Sequence, residues 1–135
     1  MLDIQKKIIS TLIADSTLTA MVPAVNILTG PVDIVEEKII NLTMPQINLW
    51  TVSEVIRSIP TNCRDTIIQL DVWSRNNQLD VENIYERVIT LLNYLSADQG
   101  TSHIFWQTLE GSSDQFESDR RIWHKSMRFQ VWAQS

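Results

Sequence analysis

The sequence predicts one α+β domain over residues 1–135, with two main helices packed on one face of an antiparallel sheet of four to five strands. Residues 64–74 and 122–132 each alternate apolar and polar side chains, which is the period of a strand with one buried face. Residues 81–95 instead carry a one-sided apolar stripe at helical spacing. The elements run helix, strands, helix, strands, and helices with one apolar face each need one sheet face to cover.

Composition and charge narrow the class of protein. A chain of 135 residues with 44% apolar and 20% charged side chains matches an ordinary globular domain. Eleven Lys and Arg against sixteen Asp and Glu give a net charge of −5, which argues against a dedicated nucleic-acid binder. No apolar stretch approaches the ~18 residues that cross a bilayer, and the amino terminus does not resemble a secretory signal. We therefore expect a cytoplasmic chain that contacts neither membranes nor specific nucleic-acid sequences.

The first part of the chain predicts two helices and a short strand. A helix capped by Asp3 places five apolar side chains on one face. These are Ile4, Ile8, Ile9, Leu12 and Ile13. Ser16 is a suitable cap for a short helical turn over 17–22, which Pro23 ends. Residues 25–29 then form a short strand before Gly30.

Residues 31–45 follow no regular period, because acidic residues are mixed with Val, Ile and Leu. An irregular segment of this length inside a compact domain is usually functional. We interpret it as a long loop or arm that reaches a neighbouring molecule.

The remaining elements follow from alternation and capping. Strands over 46–55 and 64–74, joined by a turn, form an antiparallel pair. Asn76-Asn77 caps the second main helix, which Asp98-Gln99-Gly100 ends. The last two strands cover 104–109 and 122–132. The tract joining them, about 110–120, is predicted to be an acidic hairpin or loop, since it carries four acids and no base up to residue 119.

The sheet face opposite the helices predicts an interface. Five Trp residues are more than a core of this size needs, and spare tryptophan is typical of protein–protein interfaces. The acidic tract and the two arginines after it add charges that a partner could meet. The candidate interface residues are Trp50, Trp73, Trp132, Glu110, Asp114, Glu117, Asp119, Arg120 and Arg121.

No residue pattern predicts catalysis, a metal or a cofactor. Cys63 is the single cysteine, so an internal disulfide and a multi-cysteine zinc site are excluded. His103 and His124 have no partner at the spacing that a nucleophile or metal site needs. Asp71 lies mid-strand and is interpreted as a paired charge on the sheet face. The short basic pair Arg120-Arg121 does not make a nucleic-acid site.

Four stretches together resemble the small tail-completion proteins of long-tailed bacteriophages. Residues 15–22 resemble the opening pattern Asp-x-x-Leu-x-x-Leu-Val, with Met21 at the second leucine, and residues 44–49 resemble the second block. Residues 67–75, followed by a capped helix, resemble the most recognisable block, and residues 124–132 resemble the closing strand. The match spans nearly the whole chain and depends on the order and spacing of the stretches. The chain departs from the pattern in its longer segment 31–43.

This resemblance implies a tail terminator, which is a structural protein and not an enzyme. Such a protein forms a homo-oligomeric ring, usually of six subunits, on the head-proximal end of the tail tube. It stops tube polymerisation and provides the surface that joins the head. The implied partners are other copies of the chain, the tail tube protein and a head connector or stopper protein. The implied location is the virion, assembled in the cytoplasm of a bacterial host.

Three other hypotheses remain open on the sequence. A head-side connector or stopper protein of the neck shares the size and the ring. A small intracellular α+β binding domain or enzyme would need a concave pocket with convergent polar groups, which the sequence does not mark. A regulatory or adaptor protein would be a monomer at micromolar concentration, and size-exclusion chromatography with light scattering separates it from an oligomer.

Overall fold

The computed structural model describes residues 2–30, 45–57, 63–74, 77–93, 97–99, 102–117 and 122–134. The helices are α1 (Leu2–Ala14), α2 (Ser16–Met21) and α3 (Gln78–Leu92), with a 3-10 turn at Ala24–Asn26. The strands are β1 (Ile27–Thr29), β2 (Gln46–Arg57), β3 (Cys63–Ser74), β4 (Ala97–Gln99), β5 (Ser102–Glu117) and β6 (Ile122–Gln134). Within the described ranges, no helix is long and apolar enough to span a bilayer. The predicted arm at 31–45 falls almost wholly outside these ranges.

The described strands form one sheet in the order β1-β2-β3-β6-β5-β4. Every neighbouring pair is antiparallel except β1 and β2, which are parallel. The α+β class with two main helices and a mainly antiparallel sheet is therefore confirmed. The four long strands are those that alternation predicts. Strand β1 lies within the short strand predicted over 25–29. Strand β4 was not predicted, because its three residues are too few for periodicity to reveal.

Helices α1 and α3 both lie on one face of the sheet, as predicted. Ile8 and Leu12 of α1 and Ile84 and Val88 of α3 are buried in the same core as the inward side chains of the strands. The strand contribution comprises Ile47, Leu49, Ile68, Leu70, Val72, Met127, Phe129 and Val131.

Two polar contacts fix the helices over particular strands. Gln5 Nε2 of α1 donates to Thr51 Oγ1 of β2 at 2.6 Å. Lys125 Nζ of β6 donates to Glu82 Oε1 of α3 at 2.8 Å and lies 4.0 Å from the centre of the Tyr85 ring. The Lys125 side chain is buried, so its charge is balanced by a carboxylate and an aromatic face.

The helix boundaries differ from the predicted ones at three places. Asp3 lies inside α1 and is not its cap, because α1 begins at Leu2. Asp15, not Ser16, caps α2 by accepting the Leu18 N–H at 2.8 Å. Helix α3 starts after the predicted cap Asn77 but ends at Leu92, since residues 97–99 pair with β5 as strand β4.

The acidic tract is a strand over most of its length. Strand β5 continues to Glu117 and pairs with β6 up to the pair Glu117 and Ile122, so residues 110–117 form one arm of a β-hairpin and not an irregular loop. The ladder shifts register between Ile104 and Trp106 and again between Leu109 and Gly111, as a β-bulge does. Main-chain hydrogen bonds to β6 hold this part of β5 in the sheet, and the apolar–polar pattern of one strand does not predict such bonds.

Candidate assembly interface

The sheet face opposite α1 and α3 is called the outer face below. It is the polar face that the alternation predicts, and it is built from alternate positions of β2, β3 and β6. Its central side chains are Asn48, Trp50, Gln69, Asp71, Trp73, His124, Ser126, Arg128, Gln130 and Trp132. The two ends of this face differ in exposure, and the difference separates buried structural groups from groups exposed at the surface.

One end of the outer face holds a buried polar cluster centred on Asp71. Asp71 Oδ1 accepts from Ser126 Oγ at 2.6 Å and from Gln69 Nε2 at 3.2 Å, and it lies 2.9 Å from His124 Nε2. Asp71 and His124 are both buried. A buried carboxylate is tolerated when donors surround it in this way, so Asp71 is a paired structural charge.

Asp71, His124 and Ser126 do not form a nucleophile site, although they have the residue types of one. In a hydrolytic triad the carboxylate and the serine contact opposite nitrogens of the imidazole. Here the same nitrogen, His124 Nε2, lies 2.9 Å from Asp71 Oδ1 and 3.1 Å from Ser126 Oγ. Ser126 Oγ donates to the carboxylate itself. Among the described residues there is also no group of three or more His, Cys, Asp and Glu side chains placed to hold a metal.

Trp73 belongs to this buried end. Its ring stacks on His124 with centroids 3.7 Å apart and planes 7° from parallel, and the residue is only 2% exposed. Its Nε1 is buried and has no hydrogen-bond partner among the described atoms. In the single chain Trp73 is therefore a buried packing residue and is not accessible to a partner.

A second pair of contacts anchors both ends of segment 31–44 at the same sheet edge. Asn48 Nδ2 donates to Gly30 O at 3.1 Å, and Asn26 Nδ2 donates to Pro45 O at 3.1 Å. Gly30 has φ of 94°, a conformation that side-chain-bearing residues rarely adopt. The chain thus leaves and re-enters the sheet beside strand β1.

The other end of the outer face is open. Val55, Asp65 and Trp132 lie in one row across β2, β3 and β6, with Val55 55% and Trp132 39% exposed. Polar side chains lie in this row and beside it. Gln130 Nε2 donates to Asp65 Oδ1 at 3.1 Å, and Arg128, further along β6, is exposed. Exposed aromatic and aliphatic groups with a polar rim are typical of protein interfaces.

The predicted interface residues fall into three groups. Trp132 is exposed, Trp50 is half-buried and Trp73 is buried. Glu110, Asp114 and Glu117 lie along β5, the strand that pairs directly with β6, which carries Trp132. Asp119, Arg120 and Arg121 lie outside the described residues.

Sequence reasoning missed an apolar groove beside α1, called the α1–β1 groove below. Gln5, Lys6, Ile9, Ser10, Ile13, Ala14 and Thr29 line it, and its volume is about 380 Å³. The apolar stripe of α1 could have indicated this groove, because it has more apolar side chains than the core buries. Ile8 and Leu12 fill the core, whereas Ile13 remains 40% exposed.

Comparison with solved structures finds the same fold in a chain of a virion particle and in a second solved chain. No protein-family model matches this sequence, and no curated protein does. A chain from the virion of a native gene transfer agent particle superposes with a TM-score of 0.71 over 95% of this chain and 92% of its own, at 10% identity. A second solved chain gives a TM-score of 0.55 over 93% and 94%, also at 10% identity. At this identity the comparisons establish a shared α+β fold over more than nine-tenths of each chain.

Proposed function

We propose that this chain is a tail-terminator protein of a phage-like virion. It forms a ring on the head-proximal end of the tail tube, stops tube polymerisation and provides the surface that joins the head. The observation that carries this proposal is the agreement of fold, along nearly the whole of both chains, with a chain of a gene transfer agent virion. The order of the four phage-like sequence stretches supports the same assignment.

The described surface suits a protein that acts by docking to partner subunits and not by catalysing a reaction. A terminator needs one surface that reproduces the contacts a tube subunit expects and another that lacks them, and it needs no reacting group. The polar cluster around Asp71 is internally paired, so it holds the sheet together and leaves no free nucleophile. The row with Val55 and Trp132 is a surface that a tube or connector subunit could cover.

The proposed partners follow from the ring. Other copies of the chain, six in a ring by the family resemblance, meet side by side. The tail tube protein meets one face of the ring, and the head connector or stopper meets the other. The chain acts without a cofactor at the head-proximal end of the tail, after assembly in the bacterial cytoplasm.

Tube growth in the presence of the purified chain tests the proposal directly. Tail tube protein that polymerises alone gives tubes of variable length under electron microscopy. Added chain is expected to shorten the tubes and to appear as a cap at one end of each. Tubes that grow to the same lengths, with no cap, would contradict a terminator function.

Deletion of the gene in the particle-producing cell separates the terminator from a head-side stopper. Loss of a terminator leaves overlong tubes beside filled heads. Loss of a stopper leaves tubes of normal length and heads that release DNA. The lengths of the free tubes therefore decide between the two functions.

A further inference from the structure

The α1–β1 groove is an unfilled apolar surface next to an open strand edge. Ile9, Ile13 and Ala14 provide its apolar wall, and Thr29 of β1 provides the other side. Strand β1 is the outermost strand on this side of the described sheet. Gly30 N–H donates inward to Leu49 O, so the main-chain groups of Thr29, one residue earlier, point away from β2.

Phe116 is an exposed aromatic side chain on the opposite flank of the sheet. One side of its ring packs on Trp123, with centroids 4.3 Å apart, and the residue is still 47% exposed. In the strand order, β2, β3 and β6 separate β1 from β5. Four spacings of about 4.8 Å place the two surfaces about 19 Å apart along the sheet. The groove and Phe116 are therefore two separate surfaces of the same chain.

The charges around the two surfaces are complementary. Lys6, an exposed residue of α1, lines the groove. Phe116 lies in the part of β5 over residues 110–117, which carries three acids and no base. A second copy that presents Phe116 brings this negative tract to Lys6.

The geometry points to a head-to-tail contact in which Phe116 of one copy inserts into the α1–β1 groove of the next. The two surfaces are different, so the contact is heterologous, and repetition of it closes a ring or extends a chain. This inference deepens the proposed ring function by naming the surfaces through which neighbouring subunits meet. The occupant of the groove is a second copy of this chain.

Two complementary variants test the contact in the purified full-length protein. Phe116→Ser removes the inserted ring, and Ser10→Trp fills the groove without removing a core contact. Each variant alone is expected to weaken self-association by about 30-fold, as the loss of a central aromatic contact does. Sedimentation velocity over a range of concentrations measures this association.

Mixing the two variants gives the decisive result. The Phe116→Ser protein keeps an intact groove, and the Ser10→Trp protein keeps an intact Phe116. An equimolar mixture is therefore expected to form pairs with twice the mass of one chain and nothing larger. Leu79→Ser is the matched control, since Leu79 is 65% exposed on α3 and lies outside both surfaces. Thermal unfolding confirms that every variant is folded.

Three outcomes would overturn the inference. The first is a wild-type chain that stays monomeric up to its solubility limit. The second is a single variant, of either kind, that associates as strongly as the wild type. The third is a mixture of the two variants that forms no pairs. None of these outcomes decides the proposed function, because tube capping is measured separately with the tail tube protein.

Discussion

Asp15 joins two helices that are far apart in sequence. Its carboxylate accepts the Leu18 N–H that caps α2, and it also accepts from Arg87 of α3, at 2.8 Å from Nε and 2.6 Å from Nη2. The hydrogen bonds from Arg87 lower the pKa of Asp15 below its usual value of 3.8. The same contact raises the pKa of Arg87. One carboxylate therefore fixes α2 against the helix layer.

The lowered pKa of Asp15 predicts how stability depends on pH. A carboxyl whose pKa is lower in the folded state stabilises the fold above its unfolded pKa, and this contribution disappears as the pH falls through the folded pKa. Asp15→Asn keeps a capping oxygen but removes the charge. We expect the variant to unfold more easily than the wild type near pH 7 and the difference to shrink near pH 3, as measured by urea denaturation. Glu86→Gln, an exposed carboxyl on α3, is the control; an Asp15 effect that is equal at both pH values would contradict the prediction.

At the scale of elements, helix α3 is the clearest test of the core. Leu92 is 0% exposed and contacts the sheet core, whereas Leu79 of the same helix is 65% exposed. Leu92→Ala is expected to lower the free energy of unfolding by about 2–5 kcal/mol, because it leaves a cavity. Leu79→Ala is expected to change it by less than about 0.5 kcal/mol. Chemical denaturation measures both, and similar losses for the two variants would show that α3 is not packed on the sheet as described.

The elements that sequence predicts well are those whose pattern is local. Asn77 caps α3 where predicted, and β3 and β6 alternate apolar and polar side chains over residues 68–71 and 127–131. The predicted end of α3, at 98–100, and the predicted extent of β5, 104–109, were both wrong, and for the same reason. Strand β5 is held by its ladder to β6, and β4 is held by its ladder to β5. A strand stabilised by its partner needs no alternation of its own, so residues 110–117 carried no strand signal.

At the scale of the whole molecule, sequence predicts which face a side chain occupies but not its exposure. Trp73 and Trp132 both lie on the outer face, as alternation predicts. Trp73 is nonetheless buried against His124, whereas Trp132 remains 39% exposed. Exposure depends on which elements cover each end of the sheet, and that is decided by contacts between distant parts of the chain. The α1–β1 groove was missed for the same reason.

The acidic tract predicts an electrostatic contribution to assembly. Single exposed ion pairs contribute only about 0.2–1 kcal/mol, so any large effect must come from several acids acting together on the rate of encounter. The four acids are Glu110, Asp114, Glu117 and Asp119. Replacing all four by Gln or Asn is expected to slow ring formation or head–tail joining about tenfold at low salt and to flatten its salt dependence.

A charge-matched comparison separates this effect from net charge alone. Glu110→Gln with Glu117→Gln removes two charges from the tract, and Glu54→Gln with Glu86→Gln removes two from exposed sites elsewhere. Only the first pair is expected to slow assembly, because steering depends on where the charge lies relative to the docking surface. Light scattering over a series of salt concentrations measures the rates. Equal rates and equal salt dependence for the two pairs of substitutions would show that the tract only keeps the protein soluble. The contact surface would then lie at the open end of the outer face, where Trp132 and Val55 expose apolar area.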